Sequence, residues 1–353
     1  MSEENTRKAN SVYPIVILTF MSMAIPIIIR SVNTRFPFRK KVKNKIFTII
    51  KAIVSLSLIV YLLSRVEFEQ VAKIVASADV VYLSIGLILS FLAFLLLVYR
   101  WGVLLEIFLP RQKFTTLLNY YWAGQFLGLF LPGTLGGDAF RIYKVAKKYG
   151  QAVEVTMVSL IDRAIGLCSL VLLATGAIVF NLLRSNLKIP TCFIYFIFIF
   201  WVMFMLFILG FVMLLKSPYL RHVFKHYFKL GTVFIKPFAS IKLFQSHKRN
   251  LGKAFGISLF AIFIAGASYY FIANAVNIDV SPLYFFLIFF MVALIVTIPI
   301  SINGLGLQDG AYIYLLGQTG ISTAAALSVS LTIHFIRYFI YMFGGILFLF
   351  NKE

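Results

Sequence analysis

The stretch Val80-Val-Tyr-Leu-Ser-Ile-Gly-Leu-Ile-Leu-Ser-Phe-Leu-Ala-Phe-Leu-Leu-Leu-Val98 runs for nineteen residues without a charge. Coiled as a helix at about 1.5 Å per residue, it crosses the roughly 30 Å of hydrocarbon in a bilayer. Further apolar runs, some carrying a few charges, occur at Ile46–Leu63, Thr115–Leu131, Val153–Phe180, Phe193–Leu215, Ala254–Ala273, Leu283–Ile300 and Ala324–Phe350. A transmembrane barrel would show alternating strands of about ten residues instead. Of the 353 residues, 61% are hydrophobic and 13% charged, and the mean hydropathy is +0.94; soluble domains carry about 25% charge. The sequence therefore predicts an all-α polytopic membrane protein with about eight membrane segments.

The charge balance is lopsided, with 33 Lys+Arg against 12 Asp+Glu. The basic residues gather between the apolar runs, so membrane topology and anionic headgroups account for them and nucleic acid does not. Residues 1–44 form an N-terminal extension and 45–353 a transmembrane domain. In the extension, Val12–Ile29 is followed by Arg30, Arg35, Arg39, Lys40, Lys41, Lys43 and Lys45 with no acid. That basic linker stays cytoplasmic and argues against a cleaved secretory signal, whether 12–29 spans or not. Ser64–Asp79 reads as external, Arg100–Lys113 as internal, Lys216–Lys253 as strongly internal and Asn274–Pro282 as external. The localisation expected is the cell (cytoplasmic) membrane.

Two segments defy a simple up-and-down count. Leu131-Pro-Gly-Thr-Leu-Gly-Gly-Asp138 and Ile298-Pro-Ile-Ser-Ile-Asn-Gly-Leu-Gly-Leu-Gln-Asp-Gly310 are helix-breaking runs at membrane depth. Broken backbone there must be buried in protein or face water. Two re-entrant hairpins fit, one entering from the cytoplasm and one from outside. Asp138-Ala-Phe-Arg-Ile-Tyr143 overlays Asp309-Gly-Ala-Tyr-Ile-Tyr314, and in that register Ser159 falls on Ser330. The hairpins then relate as an inverted repeat, the construction that places transporter sites where broken helices meet.

Ionisable residues at membrane depth are costly and mark functional positions. Here they are Asp138, Arg141, Asp162, Arg163, Asp309, His334 and Arg337, with Gln308 beside Asp309. Three acids against three arginines suggests pairing across the bundle. The functional reading is a polar cavity in which guanidinium groups hold a phosphate bidentately. The loop glycines Gly133, Gly136, Gly137, Gly304, Gly306 and Gly310 would add N–H donors. The competing reading is buried ion pairs that only fix helix register.

Other signals are weaker. Glu67 and Glu69 read as a solvated turn. His222 and His226 lack a third metal ligand and join Arg221, Lys225 and Lys229 in a basic interfacial helix. Cys168 and Cys192 lie in apolar segments and read as small core residues. No nucleotide or hydrolase motif occurs, so no catalytic residue, metal or cofactor is expected.

Gly124-Gln-Phe, the run through Asp138 to Arg141, Asp162-Arg163-Ala-Ile-Gly166, Pro299-Ile-Ser, and Gly304-Leu-Gly-Leu-Gln-Asp-Gly310 followed by Arg337 resemble the lysylphosphatidylglycerol synthase transmembrane-region family. The resemblance covers roughly Lys45–Phe350 and implies a flippase-like domain, as in the membrane part of multiple-peptide-resistance proteins. There this region is associated with moving aminoacylated phosphatidylglycerol between leaflets, and a separate cytosolic domain makes the lipid. With Glu353 close behind the last span, that aminoacyl-transfer domain is expected to be missing. Gln308-Asp309 stands where many relatives carry Arg-Glu, which lowers the positive charge at the second hairpin. The function expected is lipid translocation, moving a phospholipid or polyprenyl-linked headgroup between leaflets; transport, not enzymatic synthesis. Its partners are membrane lipids with anionic headgroups. A membrane transferase using a lipid-phosphate donor, or a non-transporting partner of a separate biosynthetic enzyme, is the alternative.

Overall fold

Uncharged runs in lipid have no water to satisfy their backbone, so they close their own hydrogen bonds as helix. The computed structural model describes residues 73–130, 135–184, 194–202, 205, 246–298, 301 and 303–350, and all their regular structure is helical. The named helices are α1 (Val80–Leu105), α2 (Phe114–Phe130), α3 (Leu135–Tyr149), α4 (Ala152–Arg184), α5 (Lys248–Ala275), α6 (Pro282–Thr297), α7 (Leu307–Gly317) and α8 (Thr323–Phe350). Four are long and apolar enough to cross a membrane: α1, α5, residues Ala152–Leu183 of α4 and Thr323–Gly344 of α8. The chain is a helical, membrane-embedded protein. The expected segments Ile46–Leu63 and most of Phe193–Leu215, the extension 1–44 and the basic stretch around His222 lie outside the described residues.

The eight named helices of the described residues fall into two sets of four, with a further helical stretch at 194–202 between them. Lengths run 26, 17, 15 and 33 residues in α1–α4, then 28, 16, 11 and 28 in α5–α8. Contacts follow the same division. α1 packs on α5; α2 on α8 and α6 on α4; α2 on α3 and α6 on α7; α3 on α4 and α7 on α8. Exchanging the two sets turns each of these contacts into another of them.

The α1–α5 pair runs antiparallel. The Asp79 amide donates to the Ala275 carbonyl at one end, Ser90 meets Ser268 in the middle, and Asn250 donates to the Val103 carbonyl at the other end. Small residues set the spacing, as is common where helices associate in lipid. A Cβ added at Gly86 would come within 2.7 Å of Ile272.

Two boundaries differ from the sequence reading. α1 continues past Val98 to Leu105 and carries Arg100 inside the protein, not into an internal loop. α5 begins at Lys248 and takes in Lys253. Arg100 remains helical and buried because its guanidinium finds protein partners and needs no water.

The α2–α3 hairpin closes on bare backbone. A Cβ at Gly137 would lie 2.6 Å from the Gly124 carbonyl oxygen, whereas one at Gly256 meets nothing within 4 Å. Gly137→Ala should therefore cost about 1–3 kcal/mol by forcing the arms apart. Gly256→Ala, mid-helix in open space, should be neutral or stabilising by up to about 1 kcal/mol. Thermal unfolding in detergent checks the pair, and equal melting temperatures would contradict the close approach.

Candidate functional site

Helices from both sets bring their buried polar side chains to one place. Arg100 of α1 is 6% exposed, and its Nε donates to Asp162 Oδ1 of α4 at 2.7 Å. Its Nη1 donates to Ser258 Oγ of α5 at 2.8 Å. Gly166, a turn beyond Asp162, leaves room for this guanidinium, since a Cβ there would sit 3.4 Å from Nη1.

Asp138, in the first turn of α3, accepts from two arginines. Arg141 reaches back to Oδ1 from the same helix, and Arg163 of α4 donates to Oδ2. The Arg141 guanidinium also lies 4.0 Å from the centre of the Tyr121 ring and 5.2 Å from Trp101. Aromatic faces stabilise a cation that water cannot reach. Its Nε and Nη1 have no hydrogen-bond partner among the described residues.

Arg337 of α8 is held differently. Nη1 donates to Gln308 Oε1 at 3.2 Å, and Nη2 to the Asn303 carbonyl at 3.0 Å and to His334 Nδ1. No carboxylate ion-pairs with Arg337 among the described residues. Asp309 is occupied elsewhere: Ser330 Oγ and the Gly306 amide donate to it at 2.6 and 2.8 Å, and His334 Nε2 lies 3.2 Å away. Asn303 spans the two sets, because its Nδ2 donates to the carbonyls of Gly128 and Leu129 at the end of α2. Those carbonyls would otherwise be unpaired at a helix terminus.

These groups border a cavity of about 280 Å³ whose wall includes Arg100, Arg141, Arg163 and Arg337 against Asp138 and Asp162. Gln125, Asn303, Tyr121 and Tyr341 complete its polar lining. Among the described residues, four guanidinium groups and two carboxylates line it, an excess of positive charge. In a low-dielectric setting such an excess favours an anionic guest, which arginine's planar fork can grip through two oxygens.

Of the residues singled out from sequence, Asp138, Arg141, Asp162, Arg163 and Arg337 meet at this cavity. Gln308, Asp309 and His334 form a layer behind Arg337 instead. The one-to-one pairing of three acids with three arginines does not occur. Asp138 serves two arginines, Asp162 takes Arg100, and Asp309 takes His334. Arg100, Asn303, Tyr121 and Tyr341 escaped the sequence reading. The apolar run resumes after Arg100 as Trp101-Gly-Val-Leu-Leu105, and that continuation was the available signal.

The glycines divide. Gly133 lies outside the described residues. Gly136 and Gly137 lie in the first turn of α3, where amides have no intrahelical acceptor, and the Gly310 amide of α7 donates to the Gly306 carbonyl. Gly304 and Gly306 are loop residues with φ of +81° and +77°, a region that glycine enters without steric cost. The Gly306 amide is spent on Asp309, so it offers nothing to a guest.

The two acids share a register. Asp138 pairs with Arg163 and Asp309 with His334, each 25 residues downstream. Ser330, 21 residues after Asp309, donates to it, while its counterpart Ser159 is buried with no partner for its hydroxyl among the described residues.

Residues 48–345 match the family described as Lysylphosphatidylglycerol synthase TM region. No curated protein matches the chain.

Asp162→Asn would leave Arg100 buried against a neutral amide, with side-chain exposures of only 7% and 5% for the original pair. Breaking such a pair from one side costs about 3–5 kcal/mol, and replacing both partners costs far less. The double variant Arg100→Met/Asp162→Leu should accordingly be more stable than Asp162→Asn alone. Unfolding of the three proteins in detergent checks this, and additive losses would contradict it.

Proposed function

Because this chain belongs to the lysylphosphatidylglycerol synthase transmembrane-region family, we propose that it is a lipid translocase whose cavity takes the anionic headgroup of a phospholipid or polyprenyl-linked lipid. The observation that carries this reading is the excess of guanidinium over carboxylate around the cavity. A purely structural set of ion pairs would balance, since every unmatched buried charge is costly. Among the described residues, two buried nitrogens of Arg141 have no hydrogen-bond partner and no carboxylate ion-pairs with Arg337. A phosphate in the cavity sets negative charge beside both guanidinium groups.

The same reading takes α1–α4 and α5–α8 as an inverted repeat with the hairpins α2–α3 and α6–α7 re-entrant from opposite faces. Supporting it are the antiparallel α1–α5 pair, the interchangeable contacts, and the shared spacing of Asp138–Arg163 and Asp309–His334. α2 and α6, at 17 and 16 residues, are short for a full crossing. Headgroups would move through the polar groove where the two hairpins meet while acyl tails stay in lipid, as in transporters with sites at the midplane. The cytoplasmic membrane is the setting this activity implies, and lipids are the partners.

The test is the intact protein in vesicles carrying trace fluorescent phosphatidylglycerol, with dithionite reporting the outer leaflet. The protein should accelerate exchange between leaflets. Arg337→Lys keeps the charge but loses the planar fork, and should slow exchange at least about tenfold. Lys147→Ala, at the exposed end of α3, should leave the rate unchanged. Exchange no faster than in protein-free vesicles, or full activity in Arg337→Lys, would overturn the proposal.

A further inference from the structure

Arg337 faces the cavity on one side and His334 on the other. A guanidinium has only donors, so His334 Nδ1 must be the acceptor and carry no proton. The ring proton is then on Nε2, which lies 3.2 Å from Asp309 Oδ1 without being aligned on it as a hydrogen bond. His334 is thus a neutral ring held between a carboxylate and a guanidinium, 3% exposed.

Adding a proton at Nδ1 removes Arg337's acceptor and sets two cations in contact. Arg337 must then move, and the open side is the cavity. An anion in the cavity acts in the other direction. It draws Arg337 away, frees Nδ1, and leaves the ring beside Asp309 with no cation against it. Each event makes the other easier, and the coupling is reciprocal by linkage. Histidine is the side chain whose ordinary titration range suits such a role.

The surroundings fit a local switch. Asp309 and Arg337 are the charges acting on the ring. Tyr338 on α8 packs its ring 5.8 Å from the imidazole. Tyr269 of α5 and Tyr312 of α7 act on Arg337. α1 and α2 bring Arg100 and Tyr121 to the cavity wall, and neither acts on the His334 ring.

We propose that His334 is the proton-binding site that couples headgroup movement to protons, with Asp309 holding the ring and Arg337 relaying between ring and anion. The inference rests on the reading of the cavity as an anion site. The proton comes from solvent through the cavity onto Nδ1 on the side where the headgroup enters, and is released through the cavity to solvent on the side where the headgroup leaves. A headgroup with one negative charge then travels with one proton, so no net charge crosses the membrane potential.

The test is nitrogen-15 spectroscopy of the intact chain with labelled histidines in lipid nanodiscs, the His334 signal being identified by its loss in His334→Gln. Without ligand, Arg337→Gln should raise the protonation midpoint of His334 by about one pH unit or more, and Asp309→Asn should lower it comparably. Far-ultraviolet circular dichroism and thermal unfolding of each variant report whether it keeps its fold. Dioctanoyl-phosphatidylglycerol at fixed pH should convert His334 in the unsubstituted protein from neutral ring to imidazolium. Lipid binding without that conversion overturns the coupling and spares the translocase reading. Absence of lipid binding overturns the anion site and the coupling with it. Midpoints that stay put in both variants overturn the relay whatever the lipid does.

Discussion

Guanidinium groups in a membrane protein must be answered by something, and most of this structure follows from how four of them are answered. Arg100 is matched by Asp162 and Ser258 across three helices. Arg141 and Arg163 share one carboxylate, with Tyr121 helping to hold Arg141. Arg337 is held by neutral groups. Among the described residues, then, guanidinium groups outnumber the carboxylates that face them where the cavity lies. A low-dielectric surround gives such an excess far more weight than it would have in water.

The scaffold exists to hold that cluster. The antiparallel α1–α5 pair presents Arg100 and Ser258 at one level. Close backbone approach at Gly124 and Gly137 places Asp138 next to α2 without intervening side chains. Asn303 ties the loop before α7 to the end of α2, and its own carbonyl positions Arg337. One loop residue thus connects the two hairpins and the arginine that faces the cavity. The contacts within α1–α4 and within α5–α8 follow the same order, but an arginine of α4 meets Asp138 in the first set and a histidine of α8 meets Asp309 in the second.

Much of this was legible in the sequence, for physical reasons. Long uncharged runs admit one structure in lipid, and Pro-Gly breaks at that depth demand protein or water around them. The equal spacing from Asp138 to Ser159 and from Asp309 to Ser330 survives as a real contact in the second half. Arg100 was hidden because a basic residue just before a basic segment looks like a membrane flank. Its role depends on Asp162, 62 residues away, and no local pattern encodes that. Asn303 was hidden for the same reason, its partners being 174 and 175 residues distant. Gly136, Gly137 and Gly310 lie in helices where a cluster of glycine suggests an open loop, and Gly137 also lets α3 approach α2 closely.

The central claim is that a wet, net-positive cavity lies between the two sets of helices. Gln125→Cys, in a background with Cys168 and Cys192 replaced by Ser, puts a single thiol on its wall. The direct measurement is the rate at which that thiol reacts with small anionic and cationic methanethiosulfonates in membranes. The account predicts modification by both reagents, with the anionic one favoured well beyond its ratio on a free thiol. A thiol that stays unreactive, or one that reacts faster with the cation, would contradict it.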